Sequence, residues 1–210
     1  MNIEEYRTIR KTGKDLSSKI FKFALLNKDE LIYAANLLGF WNGRTLVYGS
    51  NEDFDTITDF LIYEKLKHNI PVFKRFYDSN PELTDLEQEN MKGILNYHSS
   101  LFQITSIHSK ANTLELLDLL SANRQEFKLM DVGMSQSTSV GLIFYSRLLP
   151  IRDIYMTSGV SFGFDKSYKD KLFSAISLAT IKKRKKLTNT ELFLLFHQKN
   201  QQYGIEVKIK

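Results

Sequence analysis

The stretch IYMTSGVSFGF, residues 154–164, decides the fold class, because its second half alternates between large apolar and small residues. This alternation over residues 160–164 is typical of a strand that buries one face. Ser158-Gly159 before it favours a tight turn. We therefore predict two short strands here, over residues 154–157 and 160–164.

The sequence before this stretch contains further β-rich segments. They are rich in β-branched and aromatic residues, are bounded by Gly, Ser, Asn or Asp, and cover residues 101–107, 126–132 and 139–149. Residues 114–120 fit either a strand or a helix, because their leucines satisfy both periods. Five or six short strands in about 65 residues predict a small antiparallel β-barrel or a strongly bent sheet, since closure removes exposed edges.

Helical patterns lie on both sides of this β-rich region. Apolar residues recur at helical spacing before residue 98 and predict about four helices, the last running from Pro81 to about Tyr97 after the cap residue Asn80. Two more helices are predicted after residue 165, and a final edge strand is predicted from the apolar residues Ile205, Val207 and Ile209.

The predicted fold class is therefore α+β. Its segments are a mainly helical region over residues 1–97, a small β-barrel module over 98–165, and C-terminal helices with a terminal strand over 166–210. We expect the three segments to form one compact unit, because the β module is too small to be secure alone.

Composition excludes several classes of protein. The 210 residues are 42% hydrophobic and 25% charged, which is typical of globular chains and not of collagen or low-complexity sequence. The cysteine count of zero excludes disulfides, cysteine zinc sites and thiol catalysis. The longest apolar runs have five residues, such as 192–196, so we expect no membrane span. Because the chain begins with acidic residues and not with a secretory pattern, we expect a cytoplasmic protein.

The net charge of +5 is concentrated near the C-terminus. Residues 181–210 carry eight cations against two anions, whereas the other 180 residues carry 21 cations against 22 anions. The five consecutive cations are Lys182, Lys183, Arg184, Lys185 and Lys186. They predict either a contact to nucleic acid or another polyanion, such as an acidic protein, or a solvated helix end that complements the helix dipole. The first of these makes the protein a non-enzymatic binding module.

Two other groups of residues are candidates for binding. Arg147 and Arg152 flank a predicted corner of the barrel and would bind an anion at its rim or form salt bridges. A protein-interaction or homo-oligomerisation module is the alternative function, because apolar residues near the C-terminus could add a strand or a helix face to a partner. These residues are Leu192, Phe193, Phe196, Ile205, Val207 and Ile209.

An enzyme of unrecognised type is the third hypothesis. The four histidines lack the spacing of a local metal site, so we expect no metal, and the absence of a glycine-rich phosphate loop predicts no cofactor. Gly133-Met134-Ser135 matches the start of a nucleophile elbow but lacks its final glycine. We expect a polar hairpin loop there, so no catalytic residue is predicted.

Several short motifs follow one another along the middle of the chain: DFLIY (59–63), SLFQI (100–104), LDLL (117–120), MDVGMS (130–135), SRLLP (146–150) and MTSG (156–159). In this order they make the chain resemble a family of uncharacterised bacterial proteins. A similar helical region followed by a β-rich module is found beside the SEC-C zinc motif. The resemblance covers roughly residues 30 to 165 and implies a helical half followed by a β module, without implying an activity. The zinc motif itself is absent, because the chain has no cysteine.

Overall fold

The computed structural model describes residues 1–205, in which helices come first and strands follow. The predicted α+β class is confirmed. The chain divides into two compact units, one spanning Met1–Asn96 and a second that begins at Tyr97. The proposal that all segments form one unit stays a prediction.

Five helices form the first unit, one more than the sequence predicts. They are α1 (Ile3–Ala24), α2 (Lys28–Leu38), α3 (Asn51–Tyr63), α4 (Val72–Asp78) and α5 (Asp85–Leu95). The helix predicted to start at Pro81 begins four residues later. Thr84 and Glu87 form a reciprocal capping box there, whereas Asn80 adopts a left-handed conformation with φ 53°.

Five strands form a closed barrel in the second unit. They are β1 (His98–His108), β2 (Thr113–Asp118), β3 (Glu126–Met130), β4 (Ile143–Ile151) and β5 (Ile154–Phe164), paired in the order β1-β2-β3-β5-β4 and back to β1. Four of these pairings are antiparallel, but β3 meets β5 in parallel at Leu129 and Tyr155. The expectation of an all-antiparallel barrel is corrected in this respect.

A short helix, α6 (Val132–Ser137), connects β3 to β4. A five-strand ring in this order, with a helix between its third and fourth strands, has the topology of the OB-fold barrel. Because Ser135 lies in this helix, the prediction of a polar hairpin loop around it is wrong. Asp131 caps the helix, because its carboxylate accepts a hydrogen bond from the Met134 N–H at 2.8 Å.

Because side chains alternate between the two faces of each strand, the large apolar ones on the inner face fill the barrel. Phe102, Leu116, Phe127, Leu129 and Phe144 belong to one buried cluster inside it. The open question over residues 114–120 is resolved as strand β2, which ends at Asp118. The two strands predicted over 154–164 are a single strand, β5. The predicted turn at Gly159 is instead an irregularity within that strand, where a φ of +127° favours glycine.

The two predicted C-terminal helices are present as α7 (Lys169–Lys183) and α8 (Asn189–Tyr203). Helix α8 lies on the outer face of the barrel, where Phe196 stacks on Tyr145 with ring centroids 4.7 Å apart and Phe193 meets Phe162 edge-on at 5.0 Å. Ile205 then forms a bridge with Gly163 of β5. The remaining residues of the predicted terminal strand, Val207 and Ile209 among them, lie outside the described residues.

Candidate polyanion-binding site

The five predicted cations lie where α7 ends, and we call residues 182–186 the basic turn. Lys182 and Lys183 complete the last turn of α7, and all five side chains are exposed. Arg184 ends the helix in a left-handed conformation with φ 53°, and its N–H donates to the Ile181 carbonyl at 3.2 Å. Cations at this end of a helix also complement its dipole.

The residues that follow hold the basic turn in place. The Leu187 side chain is buried, with 7% of its surface exposed. Helix α8 then begins at a capping box. The Glu191 N–H donates to the Thr188 hydroxyl at 3.2 Å, and the Glu191 carboxylate accepts from the Thr188 N–H at 2.8 Å. The basic turn is therefore a short link between two helices, fixed at one end by a buried leucine and a helix cap.

Glu191 also forms ion pairs with the basic turn. Its Oε1 lies 2.6 Å from the Lys183 Nζ and 3.5 Å from the Lys185 Nζ. The hydrogen bond from Lys183 and that from the Thr188 N–H lower the pKa of Glu191 to about 2. Within residues 1–205, the ion pairs of the basic turn are these two. Lys182, Arg184 and Lys186 therefore carry the charge that is presented outward.

The two arginines predicted at the barrel rim have different environments. Arg147 on β4 is 1% exposed, and its guanidinium carbon lies 4.7 Å from the centroid of the Phe193 ring. Burial lowers its pKa to about 9. An anion arriving from solvent does not reach this side chain, so its prediction as a rim contact is corrected. Arg152 is exposed in the turn between β4 and β5, where its φ is 56°.

The predicted apolar interaction surface is largely buried inside the second unit. Phe193 is 1% exposed and Phe196 is fully buried, because both pack on the outer face of the barrel. These two side chains are therefore not available to a partner. Leu192 is half-buried, and Ile205 donates its backbone N–H to the Gly163 carbonyl at 2.9 Å.

A second polar cluster surrounds Asp118 at the end of β2, and it includes His98, one of the four histidines. The carboxylate is 1% exposed and accepts a hydrogen bond from the Ser100 hydroxyl, and its Oδ2 lies 2.7 Å from the His98 Nε2. It also accepts from the N–H groups of Leu120 at 2.8 Å and Ser121 at 3.1 Å. The sequence pointed to Asp118 through its residue type alone, since an Asp at the end of a strand favours a turn.

The Asp118 cluster joins strand β1 to the loop that follows β2. Its carboxylate closes the loop that leaves β2, and the Ser100 hydroxyl, which is 2% exposed, donates a hydrogen bond to that carboxylate. Ser135 is likewise bonded within its own helix, where its hydroxyl donates to the Val132 carbonyl at 3.0 Å. Among residues 1–205, no three His, Asp or Glu side chains are grouped so as to hold a metal ion.

These features define an α+β protein in which a small closed barrel carries a helical pair joined by a basic turn. The chain belongs to DUF7986, a family of unknown function, whose model matches residues 1–210. No curated protein and no solved structure matches the chain. In the described part of the chain, every helix is too short or too polar to cross a lipid bilayer.

Proposed function

We propose that this protein is a non-enzymatic binding module that contacts nucleic acid through the basic turn. The observation that carries the proposal is the concentration of charge. Five exposed cations follow one another between the end of α7 and the start of α8. In contrast, residues 1–180 carry nearly equal numbers of cations and anions. A local surface with this excess of cations attracts phosphate backbones independently of sequence.

Counterion release sets the expected strength of this contact. Each phosphate that a cation neutralises on duplex DNA adds about 0.9 to the negative slope of log affinity against log salt. Glu191 occupies Lys183 and Lys185, which leaves Lys182, Arg184 and Lys186 as the first contacts. Three such contacts correspond to a slope of about −2.7.

The barrel face is a less suitable surface for nucleic acid. OB-type barrels commonly bind oligonucleotides on the face of their second and third strands, but that analogy concerns the fold and not this site. Here the exposed charges of β2 and β3 are Glu115, Glu126 and Lys128, and their one aromatic residue, Phe127, is 5% exposed. Two anions, one cation and a buried ring offer neither phosphate attraction nor a stacking platform.

Neutralising the basic turn should remove this binding. Replacing Lys182, Lys183, Arg184, Lys185 and Lys186 with Gln should weaken affinity for random-sequence duplex DNA, single-stranded DNA and RNA at least tenfold at about 50 mM salt. The physical reason is that three or more counterion-releasing contacts are lost together. Fluorescence anisotropy on the intact 210-residue chain measures the affinity directly.

A matched variant controls for net charge. Lys11, Lys22, Lys28, Arg44 and Lys65 are four lysines and one arginine that are exposed in the first unit. Replacing these five with Gln removes the same charge and should leave affinity within about twofold. Equal losses in the two variants would mean that only net charge matters, and unchanged affinity in the basic-turn variant would refute the proposal.

Other parts of the sequence-based interpretation remain proposals. A protein-interaction or homo-oligomerisation module is the second candidate, and the exposed apolar side chains of Leu178 and Ile181 on α7 favour it. A cytoplasmic location, a bacterial source and kinship with the regions beside SEC-C motifs also stay predictions.

A further inference from the structure

Helix α7 exposes an unusually apolar surface. Of its 15 residues, Leu172 is the buried one, whereas Leu178 is 68% exposed and Ile181 is 72% exposed. The two lie three positions apart, so their side chains share one face of the helix. Exposed aliphatic side chains that are adjacent on a helix are typical of a surface that a partner covers.

This face borders a groove between α7 and α8. The groove has a volume of about 500 Å³, and Ala175, Leu178, Leu195 and Tyr203 form its apolar lining. The ring of Tyr203, which lines the groove, stacks on Tyr168 with centroids 4.5 Å apart. A concave apolar groove between two helices is suited to the apolar side chains of a third helix.

Cations lie in the lining of the groove and beyond it, at the end of α7. Lys171 and Lys199 line it near Tyr203, with Asp170 as the one acid in its lining, and the basic turn begins at Lys182 where α7 ends. From Lys171 to Lys182 the helix advances eleven residues, which is about 16 Å or three turns. The lining of the groove on α7 ends at Leu178, one turn before Lys182, so Leu178 and Ile181 lie between Lys171 and Lys199 on one side and the basic turn on the other.

We infer that the groove of α7 and α8 binds an acidic amphipathic helix of a partner protein. Such a helix would place apolar side chains at i, i+3 or i+4, and i+7 into the groove, with Asp or Glu near Lys171 and Lys199 at one end and the basic turn at the other. Charge complementarity selects this occupant. A second copy would bring the same positive surface, and nucleic acid would leave Leu178 and Ile181 without apolar contacts.

The shape of the groove also argues against a lipid surface. An interfacial helix binds lipid through a broad apolar face on its convex side. Here Leu178 lines a concave space shared with Leu195 of α8, and Ser174 lies beside it in the same lining. This geometry suits individual side chains of a docked helix.

The test uses labelled helical peptides and the full chain. A panel of 14-residue peptides carries Leu or Phe at the groove-facing positions and Glu or Asp elsewhere, and each peptide has a scrambled partner of equal composition. We expect at least one designed peptide to bind, and the double variant L178S/I181S to weaken it at least tenfold. The control L26S, at a leucine that is 83% exposed in the first unit, should leave affinity unchanged.

Several results would overturn the inference, and they are separable from the nucleic-acid proposal. Absence of binding by every designed peptide at 1 mM, equal binding of the scrambled peptides, or equal affinity of L178S/I181S would each contradict a groove for a helix. If vesicles with anionic headgroups bind the intact chain but not L178S/I181S, and no designed peptide binds, the surface would be assigned to lipid. L178S/I181S should keep its nucleic-acid affinity, so either proposal can fail alone.

Discussion

Replacing Asp118 with alanine should lower the free energy of unfolding of the barrel unit by about 3 kcal/mol. The carboxylate accepts hydrogen bonds from the Ser100 hydroxyl and from the N–H groups of Leu120 and Ser121, and it contacts the His98 ring nitrogen. Removing it leaves a buried hydroxyl and two loop N–H groups without their acceptor. Such losses cost more than the contacts contributed, because the remaining groups stay desolvated.

Hydrogen exchange followed by mass spectrometry measures this loss of stability in the strands that the Asp118 cluster joins. Peptides from β1 and β2 should exchange faster in Asp118→Ala, by about two powers of ten if they exchange through global opening of the barrel. The control Asp15→Ala, at an exposed residue of α1, should change stability by less than about 0.5 kcal/mol. Unchanged exchange of β1 and β2 in Asp118→Ala would show that the cluster does not hold the barrel together.

The same carboxylate gives the barrel a pH dependence. Burial raises the pKa of Asp118, but the hydrogen bonds from His98, Ser100 and the Leu120 N–H outweigh it, so the pKa lies below its usual value of 3.8. A lowered pKa in the folded state means that Asp118 contributes stability above pH 3.8, and that this contribution is lost as the pH falls through the folded-state pKa. Asp118→Ala should therefore differ most from the natural chain near neutral pH and least at about pH 2.

Replacing Phe196 with alanine should cost about 3 to 4 kcal/mol and loosen helix α8. Its ring is fully buried, stacks on Tyr145 and lies 6.2 Å from the Phe164 ring, so truncation opens a cavity at the centre of the contact between helix and barrel. Phe196→Leu fills most of that cavity and should cost about 1 kcal/mol.

Urea unfolding with hydrogen exchange of α8 distinguishes the two variants at this position. Exchange in residues 189–203 should rise strongly in Phe196→Ala and little in Phe196→Leu. Because Phe196 lies outside the basic turn, any fall in nucleic-acid affinity in Phe196→Ala would report the loss of a fixed turn. Equal stability of the two variants would mean that α8 is not anchored through this ring.

Local patterns in the sequence predict most of the fold. The alternation over residues 160–164 lies within β5, and capping boxes at Asn2 and Thr188 begin α1 and α8; each of these features rests on contacts within a few residues. The parallel pairing of Leu129 with Tyr155 could not be predicted, since it joins residues 26 positions apart and depends on closure of the whole ring. Helix α6 is not predicted because the β segment predicted over residues 126–132 includes both its cap, Asp131, and its first residue, Val132.

The candidate site was only partly predictable. The cations of the basic turn could be identified by counting charge, but Glu191, which neutralises two of them, belongs to the following helix. Arg147 and Arg152 are the same residue type and lie five positions apart, yet the burial of Arg147 beside Phe193 depends on the docking of α8. The burial of Phe193 and Phe196 depends on the same packing, which no short sequence pattern encodes.

The salt dependence of duplex DNA binding by Glu191→Gln tests the central claim most directly. Gln retains the capping box with Thr188 but releases Lys183 and Lys185, so the cations free to contact phosphates rise from three to five. The slope of log affinity against log salt should steepen from about −2.7 to about −4.5, and affinity at about 50 mM salt should increase. An unchanged slope and affinity in Glu191→Gln would contradict the account, because the basic turn would then not be the surface that neutralises the phosphates.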